Sequence, residues 1–256
     1  MKYPRFVTPD TEPFDPIALT RETEKIVCVG SKRKYTNFYA TGVYGGIATA
    51  YSCGCCLRCT FCWVDWSRDF PEKFGAFYSP EEVFERLANV AHSYGTSKLR
   101  ISGAEPTLGK EHLLSLLEHV ENSPFKLFIL ETNGILFGVD EDYVAKVARF
   151  TKPHVRISLK AGTPEDFTRK TGAIEESFEL PFIAIENLLK YDVSFHVAAM
   201  TDHRIMSSAE RASLVKRLAG IDSRLVTNLE EEVVDPYPTT LKRLEYAGMK
   251  LKWPLR

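Results

Sequence analysis

Five of the six cysteines in this 256-residue chain lie within ten residues, between Cys53 and Cys62. Thiolates bind soft metals such as iron, so a cluster this dense predicts a metal or redox site. A disulfide knot is a poor alternative, because disulfide frameworks belong to small secreted chains. Any fold for this chain must therefore present the segment as one tight loop.

Three of these cysteines, Cys55, Cys59 and Cys62, have the spacing Cys-x3-Cys-x2-Cys. On a tight loop each of the three thiolates can hold one corner of a cubane cluster. Three ligands for four irons leave one iron open to a substrate, in the way that a catalytic zinc keeps an open position. The spacing thus indicates an iron–sulfur centre that takes part in chemistry.

A second spacing competes with the first, because Cys53, Cys56, Cys59 and Cys62 stand three residues apart. This ladder would ligate an electron-transfer cluster completely, as in small ferredoxins. The bacterial ferredoxin run ends in Cys-x3-Cys-Pro and is paired with a second run, whereas here Trp63 follows and no second run exists. The open cluster is therefore favoured, with Cys53 and Cys56 as spare thiols beside it.

A structural zinc site is the third alternative. It is less favoured, because zinc usually draws its second pair of ligands from a distant knuckle. The sixth cysteine, Cys28, lies in the apolar piece Ile26–Gly30 and is more typical of a small buried hydrophobe than of a ligand. On sequence alone the roles of Cys28, Cys53 and Cys56 stay open.

Charge and hydropathy disfavour several classes of partner. The net charge is −1 and no long basic run exists beyond Lys32-Arg33-Lys34, which is predicted to be a solvated turn, so nucleic acid is not indicated. No apolar run is long enough to span a bilayer, and the first residues do not form a signal peptide. We therefore expect a cytoplasmic protein, a setting that suits oxygen-sensitive thiolates.

Six short apolar-rich runs follow one another along the chain, of the kind found in buried parallel strands. They alternate with helical patterns, and this predicts an α/β fold with right-handed crossovers, curled into a partial (β/α)6 parallel barrel. The length suits a single domain. The predicted strands are 47–51, 98–102, 126–132, 154–160, 193–199 and 224–229.

The helices between these strands carry recognisable signals. The first has Ser79 as N-cap, Pro80 at its first position and Glu82 closing a capping box. The last is expected to stop at Gly220. The other helical patterns centre on Leu113–Val120, Val144–Ala148, Phe182–Leu189 and Leu214–Leu218.

The barrel is predicted to span residues 46–232. The N-terminal extension, 1–45, contains four prolines and is predicted to be irregular, with a strand or a cover for the barrel mouth as its contribution. The C-terminal extension, 233–256, carries a short helix over 240–247 and is expected to close one end.

Polar residues cluster where the predicted strands end, and parallel barrels place their chemistry at the carboxyl ends of the strands. The cysteine loop follows the first strand, and the segments 102–106, 131–134 and 158–160 follow or end the next three. His196 lies in the fifth. Alternation puts Arg156, Ser158 and Lys160 on one face of the fourth strand, and a polar face inside a barrel is costly unless a polar ligand fills it.

Two motifs give the chain a resemblance to a known family. The cysteine loop, with Phe61 before its last cysteine, resembles the Cys-x3-Cys-x-aromatic-Cys pattern of the radical S-adenosylmethionine (radical SAM) superfamily. Gly103-Ala104-Glu105-Pro106 is similar to the Gly-Gly-Glu-Pro motif of these enzymes, with Ala104 where the second glycine usually stands. The resemblance covers roughly residues 47–230.

The resemblance implies an oxidoreductase-type enzyme that holds a [4Fe-4S] cluster on Cys55, Cys59 and Cys62 and binds S-adenosyl-L-methionine (SAM). It implies reductive cleavage of SAM to methionine and a 5′-deoxyadenosyl radical, which takes a hydrogen atom from a substrate. Phe61 is expected near the adenine, and Gly103, Ala104 and Glu105 near the amino group. The other residues expected to contact SAM are Glu131, Asn133, Ser158, Lys160 and His196.

The resemblance also implies a low-potential electron donor, ferredoxin or flavodoxin. The compact chain resembles glycyl-radical-enzyme activating enzymes, such as those of pyruvate formate-lyase, or small radical SAM enzymes that rearrange a heterocycle. A protein partner is thus one substrate class and a nucleobase or small heterocycle is another. The sequence assigns neither the substrate nor a catalytic residue.

Overall fold

The computed structural model describes residues 3–253, and within them one sheet of nine strands is flanked by helices. The strands are β1 (Cys28–Val29), β2 (Lys32–Thr41), β3 (Ile47–Ser52), β4 (Ala76–Tyr78), β5 (Lys98–Gly103), β6 (Leu127–Thr132), β7 (Pro153–Leu159), β8 (Phe195–Met200) and β9 (Glu230–Glu232).

Ten α-helices lie in the same described range. They are α1 (Pro16–Val27), α2 (Pro80–Tyr94), α3 (Lys110–Glu121), α4 (Ile135–Val139), α5 (Glu141–Val147), α6 (Pro164–Thr171), α7 (Leu180–Lys190), α8 (Ser208–Ile221), α9 (Ser223–Thr227) and α10 (Pro238–Tyr246). None of the helices in residues 3–253 is long and apolar enough to cross a membrane.

The sheet has a parallel part and an antiparallel edge. Strands β3, β5, β6, β7, β8 and β9 are parallel neighbours in that order. Strand β2 pairs antiparallel with β3, and it also carries β1 and β4. The sheet does not close on itself, so the predicted partial barrel of six parallel strands is confirmed.

The two faces of the parallel strands differ in chemistry. The residues that face the helices are apolar and fully buried, whereas the residues that face the barrel interior are largely polar. Strand β7 shows the division, since Val155, Ile157 and Leu159 lie in the main apolar core and Arg156 and Ser158 do not. The predicted alternation in this strand is confirmed.

Helix α2 begins as its sequence predicts. The Ser79 side chain accepts a hydrogen bond from the Glu82 amide, and the Glu82 carboxylate accepts one from the Ser79 amide. Pro80 occupies the first turn, where its missing amide hydrogen has no intrahelical partner to lose. Local capping therefore fixes the residue at which this helix begins.

The predictions for the N-terminal region were incomplete. Residues 16–27 form helix α1, capped by Asp15, and residues 32–41 form a ten-residue strand. The prediction that Lys32-Arg33-Lys34 is a solvated turn was wrong, because Arg33 is 0% and Lys34 8% exposed. Both side chains donate to main-chain carbonyl groups, a long-range arrangement that composition does not predict.

Two predictions near the C-terminus were also wrong. The segment 224–229 was predicted as the last strand, but 223–227 is helical and the strand is β9. Asp222 caps that short helix, and its side chain accepts from the Arg224 amide. Gly220 does not stop α8, which continues to Ile221.

We expect the substitution Ser79→Ala to lower the free energy of unfolding by about 1 kcal/mol, because it removes the N-cap of α2. Urea unfolding followed by circular dichroism measures the difference. Ser93→Ala is the matched control, since Ser93 is exposed near the end of the same helix. Its effect should stay within about 0.5 kcal/mol. Equal losses in the two variants would contradict the capping role.

Candidate active site

Three of the clustered cysteines face one cavity at the carboxyl ends of the parallel strands. Cys55, Cys59 and Cys62 line this space, which has a volume of about 360 Å³. The loop that carries them follows Ser52, the last residue of β3. The cysteines of the Cys-x3-Cys-x2-Cys spacing are therefore brought together on a shared space.

The other two cysteines of the loop are held elsewhere. Cys53 is fully buried beside Val27 and Leu108, and burial raises the pKa of its thiol to about 12. Cys56 is also fully buried and accepts a hydrogen bond from the Asn133 side chain at 3.3 Å. Neither cysteine lines the cavity, so the four-cysteine ladder does not face a common space.

The arrangement is not that of a mononuclear metal site. Among residues 3–253, no group of three or more His, Cys, Asp or Glu side chains converges on the position of a single ion. A structural zinc requires such convergence of four ligands, whereas a cubane cluster takes each thiolate on a different iron. Three thiolates that share a cavity without converging on one position suit the cluster better than zinc.

Three buried arginines hold the loop by its main chain, one at each cavity-lining cysteine. Arg58 donates to the Cys55 carbonyl at 2.8 Å, and Arg68 donates to the Cys59 carbonyl at 2.7 Å. Arg243 donates to the Cys62 carbonyl at 2.7 Å. All three side chains are at most 1% exposed.

These arginines come from different parts of the chain, and sequence reasoning missed them. Arg58 and Arg68 lie in or beside the loop, where their position among the cysteines was an available signal. Arg243 lies on α10, and no sequence pattern connects it to the loop. Thr240 on the same helix donates to the Cys62 carbonyl at 3.1 Å, so the C-terminal helix contacts the cysteine loop directly.

The amide groups of the loop find their partners in α6. The Arg58 amide donates to the Thr171 carbonyl and the Thr60 amide to the Lys170 carbonyl, both at 2.9 Å. These acceptors belong to the last turn of α6, whose carbonyl groups have no partner within the helix. A helix end and three guanidinium groups thus replace the regular hydrogen bonds that an irregular loop lacks.

The thiol of Cys55 is the most acidic of the loop thiols whose pKa shifts. A hydrogen bond from the Cys56 thiol lowers the pKa of Cys55 to about 7, and the same contact raises that of Cys56. Burial raises the pKa of Cys59 to about 12, although Lys160 opposes it. Because metal ligation needs thiolates, positive groups near these sulfurs favour the ligand form.

Glu105 lines the cavity, but its carboxylate is bonded to the protein. One oxygen accepts from the Thr107 hydroxyl and from the Thr132 hydroxyl, each at 2.6 Å, and from the Thr107 amide at 3.1 Å. The other accepts from the Asn133 amide at 2.9 Å. The side chain therefore ties the loop after β5 to the end of β6 and is 2% exposed.

The backbone of the segment Gly103–Pro106 explains which residues fit beside Glu105. Gly103 has φ +95°, and an added Cβ would lie 2.9 Å from the Tyr51 ring and 3.0 Å from the Ser52 carbonyl oxygen, so only glycine fits there. Ala104 needs no positive φ, which explains why alanine is accommodated where the related motif has glycine. Arg33 donates to the Glu105 carbonyl at 2.5 Å and to the Pro106 carbonyl at 2.6 Å.

Asn133 links two parts of the site. Its side-chain amide donates to the sulfur of Cys56 at 3.3 Å and lies 3.7 Å from that of Cys55. Its side-chain oxygen accepts from the Ile135 amide at 3.0 Å. The polar atoms of Asn133 thus bond to the protein, which makes it a residue that positions the cysteine loop and the carboxylate of Glu105.

The remaining predicted residues are placed as follows. Phe61, Glu131, Ser158 and Lys160 line the same cavity as the cysteines. His196 does not, because it lies near the start of β8 and its imidazole is bonded to His154 and Glu230. The structure therefore does not bring His196 to the predicted cofactor contact, since the cavity lies at the other end of β8.

A polar network covers the barrel interior, and it contains residues that sequence reasoning had not selected. Arg100 donates to Glu131 at 2.9 Å, and Tyr44 donates to the same carboxylate oxygen at 2.9 Å. Arg156 bonds Glu230 and Glu232, each at 2.8 Å. The alternation of charged with apolar residues along β5 and β6 was the available signal.

The charges of this network shift one another's pKa values. Hydrogen bonds from Arg156 lower the pKa of Glu230 to about 2. Burial raises the pKa of Glu232, but the charges of Lys160 and Arg156 outweigh it and hold the pKa below its usual range. The carboxylates therefore remain ionised at neutral pH, and the interior carries fixed charges of both signs.

We expect Glu105→Ala to lower the free energy of unfolding by about 3 kcal/mol, because it leaves four buried donors without their acceptor. Urea unfolding measures the change. Glu85→Ala is the control, since Glu85 is exposed in the middle of α2, and its effect should be within about 0.5 kcal/mol. If both variants were equally stable, the hydrogen bonds between the loop after β5 and the end of β6 would not be the main role of Glu105.

Comparison with curated proteins gives relatives that match part of this chain. Curated relatives include a probable GTP 3′,8-cyclase of Thermoplasma volcanium, 29% identical over 118 residues, which are 46% of this chain and 33% of the relative. The GTP 3′,8-cyclase of Vibrio parahaemolyticus is 27% identical over 56% of this chain and 45% of its own length. The chain thus matches between a third and a half of each of these two relatives.

Solved structures show the same fold. SuiB of Streptococcus suis, bound to its precursor peptide SuiA, aligns over 81% of this chain and 42% of its own, at 16% identity and a TM-score of 0.60. The enzyme anSMEcpe with bound AdoMet aligns over 71% of this chain and 49% of its own, at 20% identity and a TM-score of 0.52.

The family model described as the radical SAM superfamily matches residues 50–218, more than half of the chain. This range runs from strand β3 and the cysteine loop through helix α8. The chain therefore belongs to the radical SAM superfamily, whose enzymes use a [4Fe-4S] cluster and SAM.

Proposed function

We propose that Cys55, Cys59 and Cys62 ligate the [4Fe-4S] cluster of this enzyme. The observation that carries the proposal is that these three cysteines line one cavity while Cys53 and Cys56 do not. The charges around the loop fit an anionic group as well. Arg58 and Arg243 are buried there, and each has a guanidinium nitrogen without a hydrogen-bond partner among the described residues.

We further propose that SAM lies between the loop and the strand ends. Its amino group meets the segment Gly103–Glu105, where Glu105 fixes the main chain by its four internal hydrogen bonds. Phe61 and Lys160 line the same space and supply an aromatic face and a cation. The side chain of Asn133 positions the cysteine loop instead of contacting the ribose.

The cluster, when bound and reduced, supplies the electron that cleaves SAM to methionine and a 5′-deoxyadenosyl radical. The protein contributes position and the exclusion of competing hydrogen donors. We propose ferredoxin or flavodoxin as the electron donor, because the enzyme class requires a reductant. The likeness to glycyl-radical-enzyme activating enzymes has only loose support, since the relatives and structures named above have other descriptions.

The substrate is proposed to enter the polar interior of the barrel. The charged residues that line the cavity are four cations and four carboxylates, which are Arg68, Arg100, Arg156, Lys160, Glu105, Glu131, Glu232 and Asp235. Arg100 and Arg156 are already paired with carboxylates. A polyphosphate would have to displace these carboxylates, so a polar substrate of small net charge is favoured.

Aromatic side chains at the cavity mouth favour a ring in that substrate. Tyr39, Trp63 and Tyr237 line the cavity, and Trp63 and Tyr237 are exposed. Aromatic faces of this kind stack on planar rings. A small polar heterocycle is therefore the substrate class that we propose, and the names of the curated relatives make guanine compounds the first to test.

The ligand assignment predicts opposite outcomes for neighbouring cysteines. Cys55→Ala, Cys59→Ala and Cys62→Ala should each lose most of the iron and sulfide bound after anaerobic reconstitution. Cys53→Ala, which removes a buried thiol outside the cavity, should retain the cluster. Iron and sulfide analysis with absorption spectroscopy measures both. Loss of the cluster from Cys53→Ala, with retention in Cys55→Ala, would instead support the four-cysteine ladder.

The activity itself is tested by incubating the reconstituted, reduced protein with SAM and measuring 5′-deoxyadenosine by chromatography. We expect formation in the wild-type protein and at least a tenfold lower yield in Cys59→Ala. No product with dithionite, ferredoxin or flavodoxin as reductant would contradict the proposed function.

The same assay tests the substrate class. We expect guanosine, which is uncharged, to increase the yield of 5′-deoxyadenosine more than GTP does. A strong increase with GTP alone would contradict the argument from the balanced charges of the cavity.

A further inference from the structure

We propose that the buried Arg68–Asp69–Arg243 unit positions the cysteine loop and sets the reduction potential of the cluster, so that the C-terminal helix α10 is part of the redox site. The inference rests on the proposed ligand set, Cys55, Cys59 and Cys62. It goes beyond that set, because it assigns a role to side chains that bond the main chain of the ligand residues.

The geometry of the unit is specific. The Asp69 carboxylate bonds Arg68 through one oxygen and Arg243 through the other. Arg68 donates a hydrogen bond to the carbonyl of Cys59, and Arg243 donates one to the carbonyl of Cys62. Arg243 also donates to the Asp65 carbonyl at 2.9 Å. One ion-pair unit therefore holds two of the three ligand residues.

The unit carries unbalanced charge. Two guanidinium groups share one carboxylate, and Arg58, which bonds the Cys55 carbonyl, adds a third. Arg68, Asp69 and Arg243 are at most 1% exposed, and so is Arg58. Buried charges are costly unless opposite charge compensates them. A cluster bound by three thiolates is an anion and supplies that compensation.

Other charged groups near the loop leave this surplus in place. Lys160 and Glu105 line the cavity with opposite charges, so these two groups offset each other. Among the carboxylates that these three arginines bond, only Asp69 offsets their charge. The net positive charge therefore lies on the guanidinium groups that bond the main chain of the loop, and that of Arg68 also lines the cavity.

The position of this charge has a direct consequence for reduction. Adding an electron makes the cluster more negative, and a nearby positive charge stabilises the reduced form more than the oxidised form. Exclusion of water strengthens the interaction. Because arginine stays protonated in proteins, the contribution is permanent and does not depend on pH.

The test uses two substitutions of opposite charge within the unit. Arg243→Gln removes a positive charge and should lower the reduction potential, whereas Asp69→Asn removes a negative charge and should raise it. For each variant we expect at least a tenfold change in the ratio of reduced to oxidised cluster at a fixed potential, which is about 59 mV for one electron. Redox titration followed by electron paramagnetic resonance measures the ratio without substrate or SAM.

Arg224→Gln and Asp222→Asn form the matched control pair. They change the same residue types in an exposed ion pair at the start of α9 and should leave the potential unchanged. Arg243→Lys separates charge from geometry, because lysine keeps the charge and loses the forked bonds. A potential close to that of the wild type is expected for this variant.

The outcomes distinguish this inference from the proposed function. If Arg243→Gln and Asp69→Asn both retain iron and sulfide but shift the potential in the same direction, or leave it unchanged, the inference is wrong while the ligand assignment stands. If Arg243→Gln does not fold, the sign of the shift in Asp69→Asn decides alone. The ligand assignment itself depends on the cysteine variants described above.

Discussion

The hydrogen bonding of the cysteine loop is the constraint on which the rest of the site depends. An irregular loop that aims three sulfur atoms at one space cannot satisfy its own main chain. Here the amides of Arg58 and Thr60 donate to the last turn of α6, and the carbonyls of Cys55, Cys59 and Cys62 accept from buried arginines. The partners of the loop therefore come from helix α6, from the loop segment itself and from the C-terminal helix α10.

Hydrogen bonds between loops also hold the ends of strands β5 and β6. Glu105 joins the loop after β5 to the end of β6, and Asn133 joins that end to the sulfur of Cys56. Arg33 holds the other side of the Glu105 loop through main-chain carbonyls. The site is therefore a set of loops bonded to one another. The side chains of Glu105 and Asn133 position these loops through hydrogen bonds within the protein.

The two faces of the sheet explain how one fold supports both stability and chemistry. The outer face buries apolar side chains under the helices, and the inner face carries Arg100, Glu131 and Arg156 in paired arrangements. Pairing offsets much of the cost of burying these charges. It also balances the charge of the cavity walls.

The sequence by itself determined the positions of the parallel strands β3 and β5 to β8, the capping of α2, the cysteine spacing and the motif at Glu105, because each depends on residues close together in the chain. It did not determine the long strand β2, the burial of Arg33 or the position of His196 away from the cavity. Nor did it show that Arg243, far along the chain, bonds to the cysteine loop. Only the tertiary structure decided these, since the partner of a buried polar group is set by the packing of distant elements and leaves no local pattern.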